Sequence, residues 1–221
     1  SGAGNDRQVV QGGGNADPFF VEAGDGSSNG DVHFFRNPGF EIFLFDTEQL
    51  AVFGNGGADT LDASTLPAGL IALELNGGDD NDLIAGSAGA DQIDAGAGND
   101  DVDGNGGNDD IILGDGDDLN TWDPGDGTDR VVGGTGRDHQ VVQGGGNADP
   151  FFVEPGDGSS TGDVRFFRNP GFEIFLFAME DLAVFGNGGD DTLDASAMPA
   201  GLIALELSGG AGNDTIIGSA G

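Results

Sequence analysis

The sequence predicts an all-β protein, a parallel β-solenoid of the β-roll or β-helix kind. Three observations predict it. A nine-residue pattern of glycines, one aspartate and one apolar residue runs almost unbroken between residues 77 and 141. The apolar segments between these glycine turns are long enough only for minimal strands. Residues 1–89 also realign on 133–221 at an offset of 132, with 71 of the 89 positions identical. A short period nested in a long one marks a stacked repeat architecture.

The short period reads GGDDNDLIA from Gly77, GSAGADQID from Gly86, AGAGNDDVD from Ala95 and GNGGNDDII from Gly104. LGDGDDLNT follows from Leu113 and, after a two-residue insertion, PGDGTDRVV from Pro124 and GGTGRDHQV from Gly133. Glycine turns the backbone through positive φ without a side chain in the way. The x-apolar-x triplet is a minimal strand whose central residue faces inward. Two nonapeptides therefore complete a coil of about eighteen residues, and aspartates two repeats apart stack on the same edge.

An aspartate at every sixth position, beside glycine-rich carbonyls, suits a hard cation. Calcium takes roughly six to eight such oxygens. The spacing assigns Asp59, Asp82, Asp100, Asp118 and Asp138 to one ladder of ligands. It assigns Asp91, Asp109, Asp129 and Asp149 to the other, the last from the variant turn GGGNAD at 144–149. The same reading extends to Asp6, Asp17, Asp191 and Asp214, with Gly77, Gly86, Gly104, Gly133 and Gly209 contributing backbone carbonyls. Each ion is expected between successive turns of one ladder. A lone GxGxD is more often an ordinary loop, but seven copies in phase reverse those odds.

GGAGNDTII at Gly209–Ile217 fits the pattern at every position. On these motifs the chain resembles the repeats-in-toxin (RTX, haemolysin-type calcium-binding) family of secreted bacterial proteins. The resemblance implies a calcium-loaded parallel β-roll, secreted or displayed at the cell surface. Departures are Asp80 where glycine is usual, Ala95 and Leu113 at the first position, and polar Asn120 and Gln140 at the inward position. Trp122 lies two residues beyond Asn120, on the same face, and is expected to compensate for it.

Composition carries the same message. The chain has 45 glycines and 40 acidic residues against six basic ones, a formal net charge of −34. Low hydrophobicity with high charge normally means disorder. The chain is therefore expected to be largely unfolded until calcium neutralises its carboxylates, so that metal binding supplies folding free energy. Phosphate-bearing partners are repelled, which argues against nucleic acid and anionic membrane surfaces. There is no cysteine, and no apolar run approaches the ~20 residues of a membrane-spanning helix. With neither an initial methionine nor a signal peptide, the chain reads as an excerpt of a longer protein.

The long period divides the chain into a first unit, 1–132, and a partial second, 133–221, of one continuous solenoid. Each unit has an acidic nonapeptide zone (54–132 in the first) and a phenylalanine-rich zone (9–53). The latter holds Phe19, Phe20, Phe34, Phe35, Phe40, Phe43, Phe45 and Phe53, with counterparts in the second copy. Its alternating runs, such as FEIFLF at 40–45, are expected to form longer solenoid coils filled by aromatics. A β-hairpin around Asn37–Gly39 is the competing local reading, and a ligand-binding aromatic surface the competing functional one. Six or seven coils per unit are expected.

Catalysis finds little support. His33 and His139 are matched by Arg165 and Arg7 in the other copy, which a catalytic base would not tolerate. No Walker lysine follows the glycine turns, and no EF-hand spacing occurs. Metal ligation accounts for the carboxylates better than a glycosidase pair. The Asn213–Thr215 sequon lies inside a calcium turn. An ice-binding face would need a regular outward row of Thr or Asn, which the turns lack. The expected function is a non-enzymatic, rigid calcium-dependent rod of an adhesin, surface layer or extracellular fibre, with end-to-end or lateral self-association into filaments or a surface array. The alternative is an accessory domain of a secreted enzyme or toxin that folds on meeting external calcium.

Overall fold

The computed structural model describes residues 5–24, 32–36, 41–156, 164–168 and 171–220. These form twenty-one strands in two sheets, with no helix among the described residues. In chain order the strands are β1 (Arg7–Gln11), β2 (Pro18–Ala23), β3 (Val32–Arg36), β4 (Glu41–Leu44), β5 (Gln49–Gly56), β6 (Thr60–Asp62) and β7 (Ala72–Asp79). Then come β8 (Leu83–Ala85), β9 (Gln92–Ala97), β10 (Asp101–Asp103), β11 (Asp110–Asp115), β12 (Leu119–Trp122), β13 (Asp129–Thr135) and β14 (His139–Gln143). The last seven are β15 (Pro150–Pro155), β16 (Val164–Arg168), β17 (Phe172–Phe177), β18 (Asp181–Phe185), β19 (Thr192–Asp194), β20 (Ala204–Ser208) and β21 (Thr215–Ile217).

Along the nonapeptide zone the chain alternates between sheets, one strand to each. The first sheet stacks β1, β5, β7, β9, β11 and β13; the second stacks β2, β6, β8, β10, β12 and β14. All these neighbours pair in parallel. The two-residue period of a strand gives each short segment one or two inward side chains, and the register stacks them. Val10, Val52, Leu75, Ile93, Ile111, Val131 and Leu176 form one inward column in the first sheet. Phe19, Leu61, Ile84, Val102, Asn120, Gln140, Leu182 and Leu205 form its counterpart in the second. Ala95 and Leu113, unusual for the nonapeptide, are fully buried core residues. The polar gap in the second column closes on itself: Asn120 Nδ2 donates to Gln140 Oε1 at 2.8 Å. Trp122, two positions along, is also buried.

The phenylalanine-rich zones depart from the expected longer coils. β2, β3 and β4 pair antiparallel, as do β15, β16 and β17, so each zone is a three-stranded meander inserted into a parallel stack. The competing hairpin reading describes the strands that flank residues 37–39, although that turn and Phe40 lie outside the described residues. Alternation sorts the aromatics between two faces. Phe19, Phe34, Phe151 and Phe166 are buried, whereas Phe43 and Phe45 are each 56% exposed.

In the second unit β14 and β18 are direct neighbours on the second sheet, while β17, β16 and β15 all lie between β13 and β19 on the first. One face thus gains two strands that the other lacks. Phe151, Phe166 and Phe172 fill the opened interior, with Phe172 stacked 3.8 Å from the Trp122 ring across the sandwich. Meanders consume chain, so a unit holds five and a half coils rather than six or seven. Apart from the two extra meander strands, it places six strands in the first sheet and five in the second. The half coil makes equivalent strands change sheets: β1 and β5 lie in the first, their counterparts β14 and β18 in the second. Successive units are rotated by half a turn about the long axis. β13 runs through the junction at 132/133 without a linker.

Candidate metal centre

Each nonapeptide turn places its aspartate at the mouth of the following strand, facing back into the turn. On the second-sheet edge the aspartates are joined coil to coil through their backbones. The amide of Asp17 donates to Oδ1 of Asp59 at 2.6 Å, Asp59 to Asp82 at 2.7 Å, and Asp82 to Asp100 at 2.8 Å. Asp100 donates to Asp118 at 2.8 Å and Asp118 to Asp138 at 3.2 Å. On the first-sheet edge Asp91 donates to Asp109 and Asp109 to Asp129, both at 2.9 Å.

Asp149 lies on that same edge but does not continue its ladder. β16 and β17 separate it from Asp129, and its amide instead donates to Asp191 at 2.8 Å, which donates to Asp214 at 3.0 Å. There are thus three runs rather than two. Asp6 belongs to the first-sheet edge and donates to Glu48 Oε2 at 2.8 Å; Asp138 likewise donates to Glu180 Oε2 at 2.9 Å. Glu48 and Glu180 stand 132 residues apart and replace the aspartate where the turn is not a nonapeptide. Sequence reading missed them because they follow no glycine pattern, although their recurrence at the long offset could have found them.

The glycines explain how a carboxylate fits there. A Cβ on Gly77 would lie 2.3 Å from Asp82 Oδ2, and on Gly133 2.5 Å from Asp138 Oδ2. Gly86, Gly104 and Gly209 meet the carboxylates of Asp91, Asp109 and Asp214 in the same way. The next coil's backbone oxygens crowd the same space: Ala95 O would be 2.5 Å from a Cβ on Gly77. Carboxylate and carbonyl oxygens therefore converge on a bare Cα.

The electrostatics of this arrangement are unfavourable as the protein stands. Oδ2 of Asp59, Asp82, Asp100, Asp109, Asp118, Asp138 and Asp191 is buried without a hydrogen-bond partner. A buried acceptor left unsatisfied costs about 1–3 kcal/mol, more when charged. Seven such groups would consume much of the roughly 5–15 kcal/mol that keeps a domain folded. Burial, reinforced by Asp129 and Asp91, pushes the Asp109 carboxyl up to about 8. Burial likewise lifts Asp82 and Asp129 to about 7, and Asp91, Asp100 and Asp138 to about 6. Asp59, Asp118 and Asp191 are raised for the same reason. The turn after the insertion adds Asp126, at a variable position of the nonapeptide, which burial also lifts to about 7.

A row of buried, unpartnered, mutually repelling oxygens fits a cation. Among the described residues no three His, Cys, Asp or Glu side chains converge on one point. The donor set is one carboxylate from each of two successive turns, completed by backbone carbonyls, and hard oxygen donors of that kind suit calcium rather than softer metals. Among the described residues no helix is long and apolar enough to cross a membrane.

The family model of the RTX calcium-binding nonapeptide repeat matches this chain in four copies, at residues 76–111, 86–119, 184–197 and 206–221. No curated protein matches it. Proteins with such repeats bind calcium and are typically secreted by bacteria. The glycine-aspartate turns within residues 76–119, 184–197 and 206–221 match the RTX calcium-binding nonapeptide repeat.

Proposed function

We propose that this chain is the structural repeat region of a secreted or cell-surface bacterial protein. It forms a rigid, calcium-dependent rod of the adhesin, surface-layer or extracellular-fibre type and has no catalytic role of its own. The observation that carries the reading is the uninterrupted run of orphaned carboxylate oxygens from Asp59 to Asp138, which crosses the unit junction with β13 and β14. Calcium at each step removes the repulsion and ties each coil to the next. The residues that would hold it are the aspartates of Asp59–Asp138, Asp109–Asp129 and Asp191–Asp214, with the carbonyls of their glycine turns.

Units that join through a shared strand add length without adding a hinge. Each adds roughly 26 Å, five and a half coils at the ~4.8 Å strand spacing. The half-turn between units places successive meanders on opposite faces, so the widening each introduces alternates in direction. Small-angle X-ray scattering on chains of one to four units tests this reading. In millimolar calcium the length should grow linearly with unit number, and in EGTA the scattering should become that of an expanded coil. Ordered strands that persist in EGTA at pH 8, where the carboxylates are ionised, would overturn it.

A further inference from the structure

The aspartate turns fall into two classes that the nonapeptide pattern does not separate. In one, the second and fourth residues are left-handed, as at Gly96 and Gly98 (φ 112° and 147°) and even at Asn55 and Asp80 (φ 75° at both). The turns of Asp59, Asp82, Asp100, Asp109, Asp118, Asp138 and Asp191, whose Oδ2 atoms are orphaned, all belong to it. The other class comprises the turns at 12–17, 86–91 and 144–149, in which no residue is left-handed. There the second residue's amide bonds the carboxylate: Gly13 to Asp17 Oδ2 at 3.0 Å, Ser87 to Asp91 Oδ2 at 2.6 Å, and Gly145 to Asp149 Oδ2 at 2.9 Å.

Each turn of this second class opens one of the three runs. Within a run, the amide of one aspartate satisfies Oδ1 of the next, so the first aspartate has no predecessor to supply that bond. Another donor takes the place in every case. Arg36 pairs with Oδ1 of Asp17, Arg168 with Oδ1 of Asp149 at 2.7 Å, and the Ser87 hydroxyl donates to Oδ1 of Asp91 at 3.1 Å. The chain has six Lys and Arg residues, and among the described residues only Arg36 and Arg168 pair with carboxylates as buried as these, 2% and 5% exposed. Both arginines sit on the middle strand of a meander, where the parallel stack stops.

We propose that Asp17, Asp91 and Asp149 are calcium-free caps, closed by Arg36, Ser87 and Arg168 in place of an ion. The inference rests on the calcium reading of the ladders. An ion at a first rung would draw ligands from one turn only and would have to displace an amide and a second donor from the carboxylate. A guanidinium supplies the missing positive charge and hydrogen bond in one fixed planar group. The two arginine caps let metal-bound coils abut a metal-free aromatic meander without leaving an unpaired buried charge at the seam. They also explain why the two meanders carry arginine at the same place.

Native mass spectrometry at saturating calcium counts the ions held by the 221-residue chain. Asp82→Asn and Asp109→Asn should each bind fewer ions than the parent. The triple variant Asp17→Asn, Asp91→Asn, Asp149→Asn should bind as many as the parent while melting at lower temperature. Loss of ions from the triple variant, in proportion to its substitutions, would overturn the cap assignment while leaving the ladders intact. A parent chain that binds no calcium would instead overturn the ladder reading. If the triple variant does not fold, Asp91→Asn alone decides, since asparagine keeps an acceptor for the Ser87 hydroxyl.

Discussion

The amide of Asp82 donates to Oδ1 of Asp100 at 2.8 Å, while Oδ2 of Asp100 is buried with no partner. In Asp100, as in the other aspartates with an orphaned Oδ2, one oxygen is thus a structural rung between coils and the other is left without a protein partner. On the calcium reading proposed above, this division lets the ladder serve as a backbone element and a cation site at once.

Asp100→Asn separates the two roles, because asparagine retains an acceptor for the Asp82 amide but loses the charge. The calcium midpoint of folding, followed by far-ultraviolet circular dichroism, should rise about tenfold, equivalent to about 1.4 kcal/mol. An unmoved midpoint would remove Asp100 from the ligand set.

The raised carboxyl values set the response to pH. A carboxyl whose folded value lies above its unfolded one stabilises the fold below the unfolded value and loses that contribution as pH rises through the folded one. With Asp100 and Asp138 at about 6, Asp82 at about 7 and Asp109 at about 8, the calcium-free chain should lose order between pH 4 and 8. Calcium needs the same groups deprotonated, so its apparent affinity should fall as pH drops below about 7. Circular dichroism in EGTA at pH 4.5 and 8, with calcium titrations at pH 8 and 5.5, checks both halves. A metal-free chain more ordered at pH 8 than at 4.5 would contradict the sign.

Gly116 (φ 150°) faces the preceding coil so closely that a Cβ would lie 1.6 Å from the Gly98 carbonyl oxygen. Gly116→Ala should destabilise the calcium-loaded chain by about 1–3 kcal/mol through overpacking against backbone. Thermal melts in excess calcium read the loss, and an unchanged melting temperature would mean the coils are not in contact there.

Asn120 and Gln140 form the one polar step in an otherwise apolar column. Replacing either alone by leucine strands a buried amide and should cost about 1–3 kcal/mol. Replacing both should cost less than the sum, because neither partner is then left unpaired. A double-mutant cycle measured by calcium-saturated denaturation tests this, and strict additivity would mean the two side chains do not interact.

The short period was legible because it repeats a local requirement. Left-handed glycines, a sixth-position aspartate and an inward apolar residue each follow from what a tight turn and a three-residue strand demand, coil after coil. That sufficed for the parallel solenoid and the stacking of aspartates along its edges. Alternation in FEIFLF was equally visible, but period two is the same for a parallel coil and an antiparallel meander, so the pairing partner could not be read from it.

Tertiary structure alone decided what depends on partners distant in the chain. Pairing of β16 with both β15 and β17 put two strands between Asp129 and Asp149 and broke a ladder that spacing had joined. The half coil left over in each unit set the alternation of faces. Arg36 and Arg168 met Asp17 and Asp149 only because the meander folds its middle strand back over the turn. The sequence by itself determined the repeating turn and its appetite for a hard cation, since both are local chemistry. Only the assembled fold determined where each run begins, because that is set by which strand the stack places next.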